Sequence, residues 1–136
     1  MVNPKPATMT AYLLDSSVCV MILRGRTAVA ELPAPPAAAI SAIVAAELWA
    51  GAMKATRASE ADRLQELLGL FSVLDFTEAA AQSYGEIRAD LERRGQTIGP
   101  LDLLIAAHAL SLGATLVTGN VREFKRVKGL KVQAWK

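Results

Sequence analysis

Residues 98–112, IGPLDLLIAAHALSL, are apolar around nearly the whole circumference of a helix. A helix without a polar face belongs in the interior, so the rest of the chain has to wrap around it. Gly99 and Pro100 mark its start, because Pro is pre-set for the first helical position and its missing N–H is not needed there. Asp102 is the one charge in this run, and it falls in the first turn, where the helix dipole favours an anion. A carboxylate at the end of a buried helix needs a partner. His108 lies nearly opposite on the helix and makes a poor fellow ligand; it reads as a core or subunit-contact histidine. The expected partner of Asp102 is a metal ion on which other acids of the chain converge.

The rest of the chain supplies short apolar runs that alternate with helices. Residues 1–9, MVNPKPATM, carry two Pro and no apolar pattern and read as a loose tail, with Met1 and Met9 both available as a start. Residues 11–14 predict a buried strand that ends at Asp15, and Ser16 or Ser17 then caps a short helix to about Arg24. Asp15 is itself a good N-cap residue, so it proves little alone. A Pro-rich connection runs over residues 24–36, and residues 37–40 form a second apolar run. Ser41 caps the next helix, SAIVAAELWAGAMKA, with Glu47 in its middle. No basic residue stands at i±3 or i±4 from Glu47, so no ion pair within the helix explains its charge. Its neighbours are apolar or small, which points it inward, against the ordinary alternative of a solvated Glu.

Residues 58–70 predict an amphipathic helix with Leu64, Leu67 and Leu68 inside. Residues 71–76 read as a third strand, with Asp75 or Thr77 as a helix-start signal and Asp75 taken as structural. A long helix over residues 77–94 closes at Gly95, and its Arg88, Arg93 and Arg94 form a solvated or substrate-facing side. After the buried helix, Gly113 stops the chain and residues 114–118 form a fourth strand, followed by Gly119 and Asn120. Residues 121–127 predict a short helical turn with Phe124 inward. Residues 130–135 form a last strand with Val132 and Ala134 on one side. This order predicts one α/β domain over residues 10–136, with a mostly parallel central sheet of about five short strands flanked by helices on both faces. Ligands bind outside the carboxyl ends of the strands in such sheets. Asp15 and Asn120 follow strands, and the N-terminal end of the Asp102 helix faces the same edge.

Composition narrows the function. The chain has 136 residues, 52% hydrophobic and 21% charged, as expected of one globular domain. The net charge of +2 does not by itself announce a nucleic-acid binder. Basic residues do gather, at Arg24 and Arg26, Lys54 and Arg57, Arg93 and Arg94, and along residues 122–136. The single Cys19 has no internal disulfide partner, fits a reducing cytoplasm and reads as a small buried hydrophobe. No run is long and apolar enough to span a membrane, and the N-terminus lacks a signal-peptide core, which points away from secretion.

Asp15, Glu47, Asp102 and Asn120 therefore fall where one crevice can collect them. Carboxylates crowded together repel, and stay ionised only beside a cation; hard oxygen ligands select Mg²⁺ or Mn²⁺. LLDSSV (13–18), SAIVAAEL (41–48), IGPLDLLIAAHAL (98–110) and TLVTGNVREFKRVKGL (115–130) together resemble the PIN domain, and within it the ribonuclease toxins of VapBC-type bacterial toxin–antitoxin pairs. The resemblance covers nearly the whole chain from Tyr12 onward. It implies that Asp15, Glu47 and Asp102 are metal ligands, that Asn120 occupies a fourth, often acidic position, and that Ser16 and Thr118 support the site. Leu101 and Ser17 depart from the residues frequent at their positions, and Asn120 lowers the negative charge available to a second ion. The resemblance further implies a Mg²⁺-dependent endoribonuclease, cytoplasmic and bacterial, that cuts tRNA or rRNA by in-line attack of a metal-activated water. A cognate VapB-type antitoxin and a homodimer are implied with it. Two other readings are a PIN-like binding scaffold with little catalysis and a receiver-type signalling module. The second needs paired acids after strand one, where Asp15 is followed by Ser.

Overall fold

Five short strands align in one sheet, and every pairing is parallel. The computed structural model describes residues 10–135, so the tail expected over residues 1–9 lies outside the described residues. The strands are β1 (Tyr12–Leu14), β2 (Ala38–Ser41), β3 (Ser72–Leu74), β4 (Thr115–Thr118) and β5 (Lys131–Ala134), in the order β3-β2-β1-β4-β5. Leu13 on β1 is in register with Ala39 on one side and Leu116 on the other. Strands buried on both faces read as continuous apolar runs. Accordingly Leu13, Leu14, Ala38, Ala39, Ile40, Leu116 and Val117 are all buried. The edge strands β3 and β5 are shorter than expected, and Ala134 is exposed.

The helices are α1 (Ser16–Leu23), α2 (Ala42–Lys54), α3 (Ser59–Leu70), α4 (Glu78–Arg94), α5 (Pro100–Leu112) and α6 (Val121–Phe124). They pack in two groups, α1 with α2 and α3, and α4 with α5; α2 also touches α5. The chain steps outward from β1 to β3, then crosses back to β4 on the other side of β1. The order therefore reverses between β1 and β4, and a parallel α/β sheet opens a crevice at that point, beyond the strand C-termini.

Local chemistry sets the boundaries. Gly95 and Gly113 end α4 and α5 at φ +66°, a conformation that suits glycine. Thr77, not Asp75, caps α4, through its hydroxyl on the Ala80 N–H. Asp15, not Ser16 or Ser17, caps α1. The Pro-rich connection contains a 3₁₀ turn at Val29–Glu31 that the sequence pattern did not announce. α6 stops at Phe124, which is fully buried as expected. Cys19 is buried, and desolvation pushes its thiol up to about 12, so it stays a neutral hydrophobe.

α5 runs through the interior as its composition demands: Leu103, Ile105, Ala106, Ala107 and Ala109 are all buried. His108 is in the core with them, at 1% exposure. Its Nδ1 lies 2.8 Å from Ser41 Oγ, and that hydroxyl also accepts the Ile43 N–H at 3.0 Å as the N-cap of α2. Phe76 meets the imidazole edge-on at 5.5 Å. One buried polar contact thus joins α5, which carries Asp102, to the start of α2, which carries Glu47. Burial lowers the His108 pKa from 6.5, so the native state holds the neutral ring while the unfolded chain takes up a proton more readily. His108 therefore leaves stability untouched well above pH 6.5 and subtracts from it as the pH falls through that value. Thermal melts across this range should show a steeper acid loss for the wild type than for His108→Gln; equal slopes would contradict the buried neutral ring. Ser41→Ala should cost about 2 kcal/mol or more in denaturant unfolding, combining a lost cap with an unsatisfied imidazole.

Candidate active site

β1 delivers Asp15 to the edge of the sheet, 3% exposed. Its Oδ1 accepts the Ser16 N–H at 2.8 Å, which caps α1. Its Oδ2 accepts the Thr118 hydroxyl at 2.6 Å and the Ser17 hydroxyl at 3.1 Å. Bonds of this kind to a carboxylate are short and strong. Ser17 Oγ in turn accepts the Gly119 N–H at 3.0 Å, and Thr118 Oγ1 accepts the Asn120 N–H at 2.9 Å. The loops after β1 and β4 are thereby tied together through one carboxylate. The side-chain support for Asp15 comes from Thr118 and Ser17. Ser16 contributes its backbone N–H, and its side chain faces Glu47 instead.

Glu47 is half-buried on α2, and its Oε1 is buried without a hydrogen-bond partner. Desolvation first, and the negative charge of Asp15 second, raise its pKa; the Ser16 side chain works weakly the other way. An acid with an orphaned buried oxygen, repelled by a neighbouring acid, is poised to accept a cation or a proton.

Asp102 sits in the first turn of α5, half-buried. Its pKa is pushed up to about 7, by burial first, then by its hydrogen bond with Glu123 and that residue's charge, then by the charges of Asp15 and Glu47. Glu123, on α6, is held by the Gly99 N–H at 3.3 Å and the Asn120 side-chain amide at 3.1 Å. Its own pKa is lowered, chiefly by the hydrogen bond from Asp102. The two shifts have opposite directions, up for Asp102 and down for Glu123. Sequence reasoning missed Glu123 and gave the fourth position to Asn120. Asn120 is exposed at the rim and orients Glu123 through its amide. The available signal was the spacing: Glu123 stands three residues after Asn120 in a short turn, so the two meet on one face.

The structure thus brings Asp15, Glu47 and Glu123 within reach of Asp102, and Asp15 within reach of Glu47, at the C-terminal edge of β1 and β4. Among the described residues, however, no three acid, His or Cys side chains already stand as a closed metal-binding group. Asp102 and Glu123 instead bring their carboxylates together beside Gly99. The donor set is all oxygen, and one buried oxygen of Glu47 lacks a partner. Those are the features a hard divalent cation would satisfy. Leu101, beside Asp102, is 46% exposed and adds no donor.

The PIN domain family matches residues 12–130. The chain is a PIN domain. It is 37% identical to ribonuclease VapC2 of Rickettsia felis over 130 residues, 91% of this chain and 97% of the relative. It is 36% identical to the tRNA(fMet)-specific endonuclease VapC of Shigella flexneri, over 93% of this chain and 99% of that one. Among solved structures, DNA-bound VapBC from Salmonella typhimurium aligns with a TM-score of 0.89 at 33% identity, over 94% of this chain and 100% of that one. VapBC2 from Rickettsia felis bound to a promoter DNA fragment aligns at 0.84 and 35%, covering 93% and 99%. The PIN domain described here is thus of the VapC type, and its parallel sheet flanked by helices is the expected fold.

Removing a hydroxyl from Asp15 tests how the carboxylate is held. Thr118→Val should lower the unfolding free energy by about 1.5–3 kcal/mol, the range for a bond to a buried charged group. Ser17→Ala should cost less, because its bond to Asp15 is longer. Denaturant melts of both variants measure this, and an unchanged midpoint for Thr118→Val would contradict it.

Proposed function

We propose that this PIN domain is a divalent-cation-dependent endoribonuclease, the toxin of a type II toxin–antitoxin pair acting in the bacterial cytoplasm. The observation that carries the reading is the convergence of four carboxylates at one sheet edge, with a Glu47 oxygen buried and unpartnered. Crowded acids are costly to a fold, and a cation offsets that cost. The names of the relatives supply the RNA: they are ribonucleases, and two are tRNA(fMet)-specific endonucleases. On that basis tRNA is the proposed substrate in preference to rRNA.

Each residue then has a role set by its surroundings. Asp15 is the fixed point, because three donors hold its carboxylate in place. Glu47, with its unpartnered oxygen, lies within the field of Asp15, and Asp102 brings a third carboxylate from the start of α5. These three would hold the ion. When bound, Mg²⁺ or Mn²⁺ would supply positive charge to the scissile phosphate and lower the pKa of a water. Glu123, steadied by Gly99 and Asn120, keeps Asp102 placed and can carry a proton at the rim.

The proposed partners follow from the same surface. The solved relatives are complexes of VapB with VapC, so a VapB-type antitoxin is proposed here. A groove of about 470 Å³ between α1, α2 and α3 has Val20, Leu23, Leu48 and Leu64 along it, with Arg24, Arg63 and Glu47 among its polar lining. A segment of the antitoxin lying in it would reach the acidic crevice. A homodimer is proposed as well, compatible with the large α4 and α5 helices. Among the described residues no helix is long and apolar enough to cross a membrane.

Purified, antitoxin-free protein should cut RNA in a total tRNA and rRNA pool with Mg²⁺ or Mn²⁺, and cutting should vanish in EDTA and in Asp15→Ala. Asp102→Asn should relieve growth arrest on overexpression while its melting curve stays cooperative. Folded protein that shifts its melting temperature with Mg²⁺ yet cuts nothing would favour the scaffold reading. Full cleavage by Asp15→Ala would overturn the site.

A further inference from the structure

We propose that Arg126 is a substrate-binding residue, gripping an RNA phosphate next to the one that enters the acidic crevice; this rests on the ribonuclease reading. A polyanion approaching four carboxylates is repelled, so a productive site needs a cation fixed at its rim. Four of the nine arginines are already engaged. Arg88 is paired with Glu92 at 2.9 Å, Arg94 with Asp90 at 2.5 Å, and Arg93 with Asp90 at 3.7 Å. Arg63 is spent on the Leu23 carbonyl.

Arg126 is not engaged in that way. Among the described residues no carboxylate lies within ion-pair distance of it, and it is exposed. It is also held in place. Its Nη1 donates to the Thr97 carbonyl at 2.9 Å, and its own carbonyl accepts Arg94 Nη2 at 2.7 Å. Thr97 is two residues from Gly99, whose N–H steadies Glu123. The turn after α6 also places Arg126 three residues from Glu123, on the same side of that turn. The field of Arg126 reaches the Glu123 carboxylate. A guanidinium seated on a carbonyl by one N–H keeps the rest of its planar fork for a phosphate. Because the seat is already formed, little side-chain entropy is lost on binding.

The test uses a labelled RNA stem–loop, with binding followed by anisotropy at several salt concentrations in EDTA, and total tRNA cleavage in Mn²⁺. Arg126→Gln should weaken binding about tenfold and reduce the slope of log K against log salt by about 1. It should also raise KM more than it lowers kcat. Arg126→Lys keeps the charge and should retain most of the slope. An Arg126→Gln protein with wild-type slope and KM would overturn the proposal, even if it melted earlier, and would leave Arg126 as a latch on the loop at Thr97. Wild-type protein that neither binds nor cuts RNA would overturn the ribonuclease reading, and this inference with it.

Discussion

A carboxylate buried at the end of the central strand governs this fold. Asp15 is almost fully enclosed, and a bare charge there would cost several kcal/mol. It is tolerated because donors from two loops converge on it: the Ser16 N–H and Ser17 hydroxyl after β1, and the Thr118 hydroxyl at the end of β4. The Thr118 bond exists only because β1 and β4 are neighbours, and they are neighbours because the strand order reverses between them. Topology and site are therefore one arrangement. The sheet opens its crevice where the Asp15 network closes it from below.

The other acids inherit their character from this fixed charge. Glu47 and Asp102 both feel Asp15, and both have raised pKa values with burial as the leading cause. The Asp102 carboxyl is pushed up further by its neighbour Glu123. Glu47 has no partner for its buried oxygen. Within the core, the His108–Ser41 contact joins the helices that carry Glu47 and Asp102, so the separation of these acids is set by packing rather than by loops. Around the rim, the Gly99 N–H on Glu123 and the Arg126 guanidinium on the Thr97 carbonyl tie the α6 region to the start of α5.

Much of this was legible in the sequence because the strongest patterns there are physical. A helix apolar on every side had to be interior, and α5 is. Apolar runs ending in Asp15 and in Gly119-Asn120 placed both loops at one sheet edge. Element ends were less legible, because β3 and β5 are edge strands where burial, and so pattern, is weak. The cap of α1 was misread because Asp, Ser and Ser stand in succession and all cap well; three-dimensional contact with Thr118 decided for Asp15. Glu123 was missed because a Glu in a short basic turn looks solvated. Only the approach of α6 to Gly99, across more than twenty residues of chain, turns it toward Asp102. Likewise the arginines of α4 looked available until their partners Glu92 and Asp90 were seen beside them.

The central claim is that this acidic crevice is built for a divalent cation. The most direct measurement is anomalous diffraction from crystals of the antitoxin-free protein soaked in Mn²⁺. The expected result is a Mn²⁺ peak bounded by Asp15, Glu47 and Asp102, with Asp102 drawn away from Glu123. Crystals saturated with Mn²⁺ that show no peak there, with Asp102 still paired to Glu123, would contradict it.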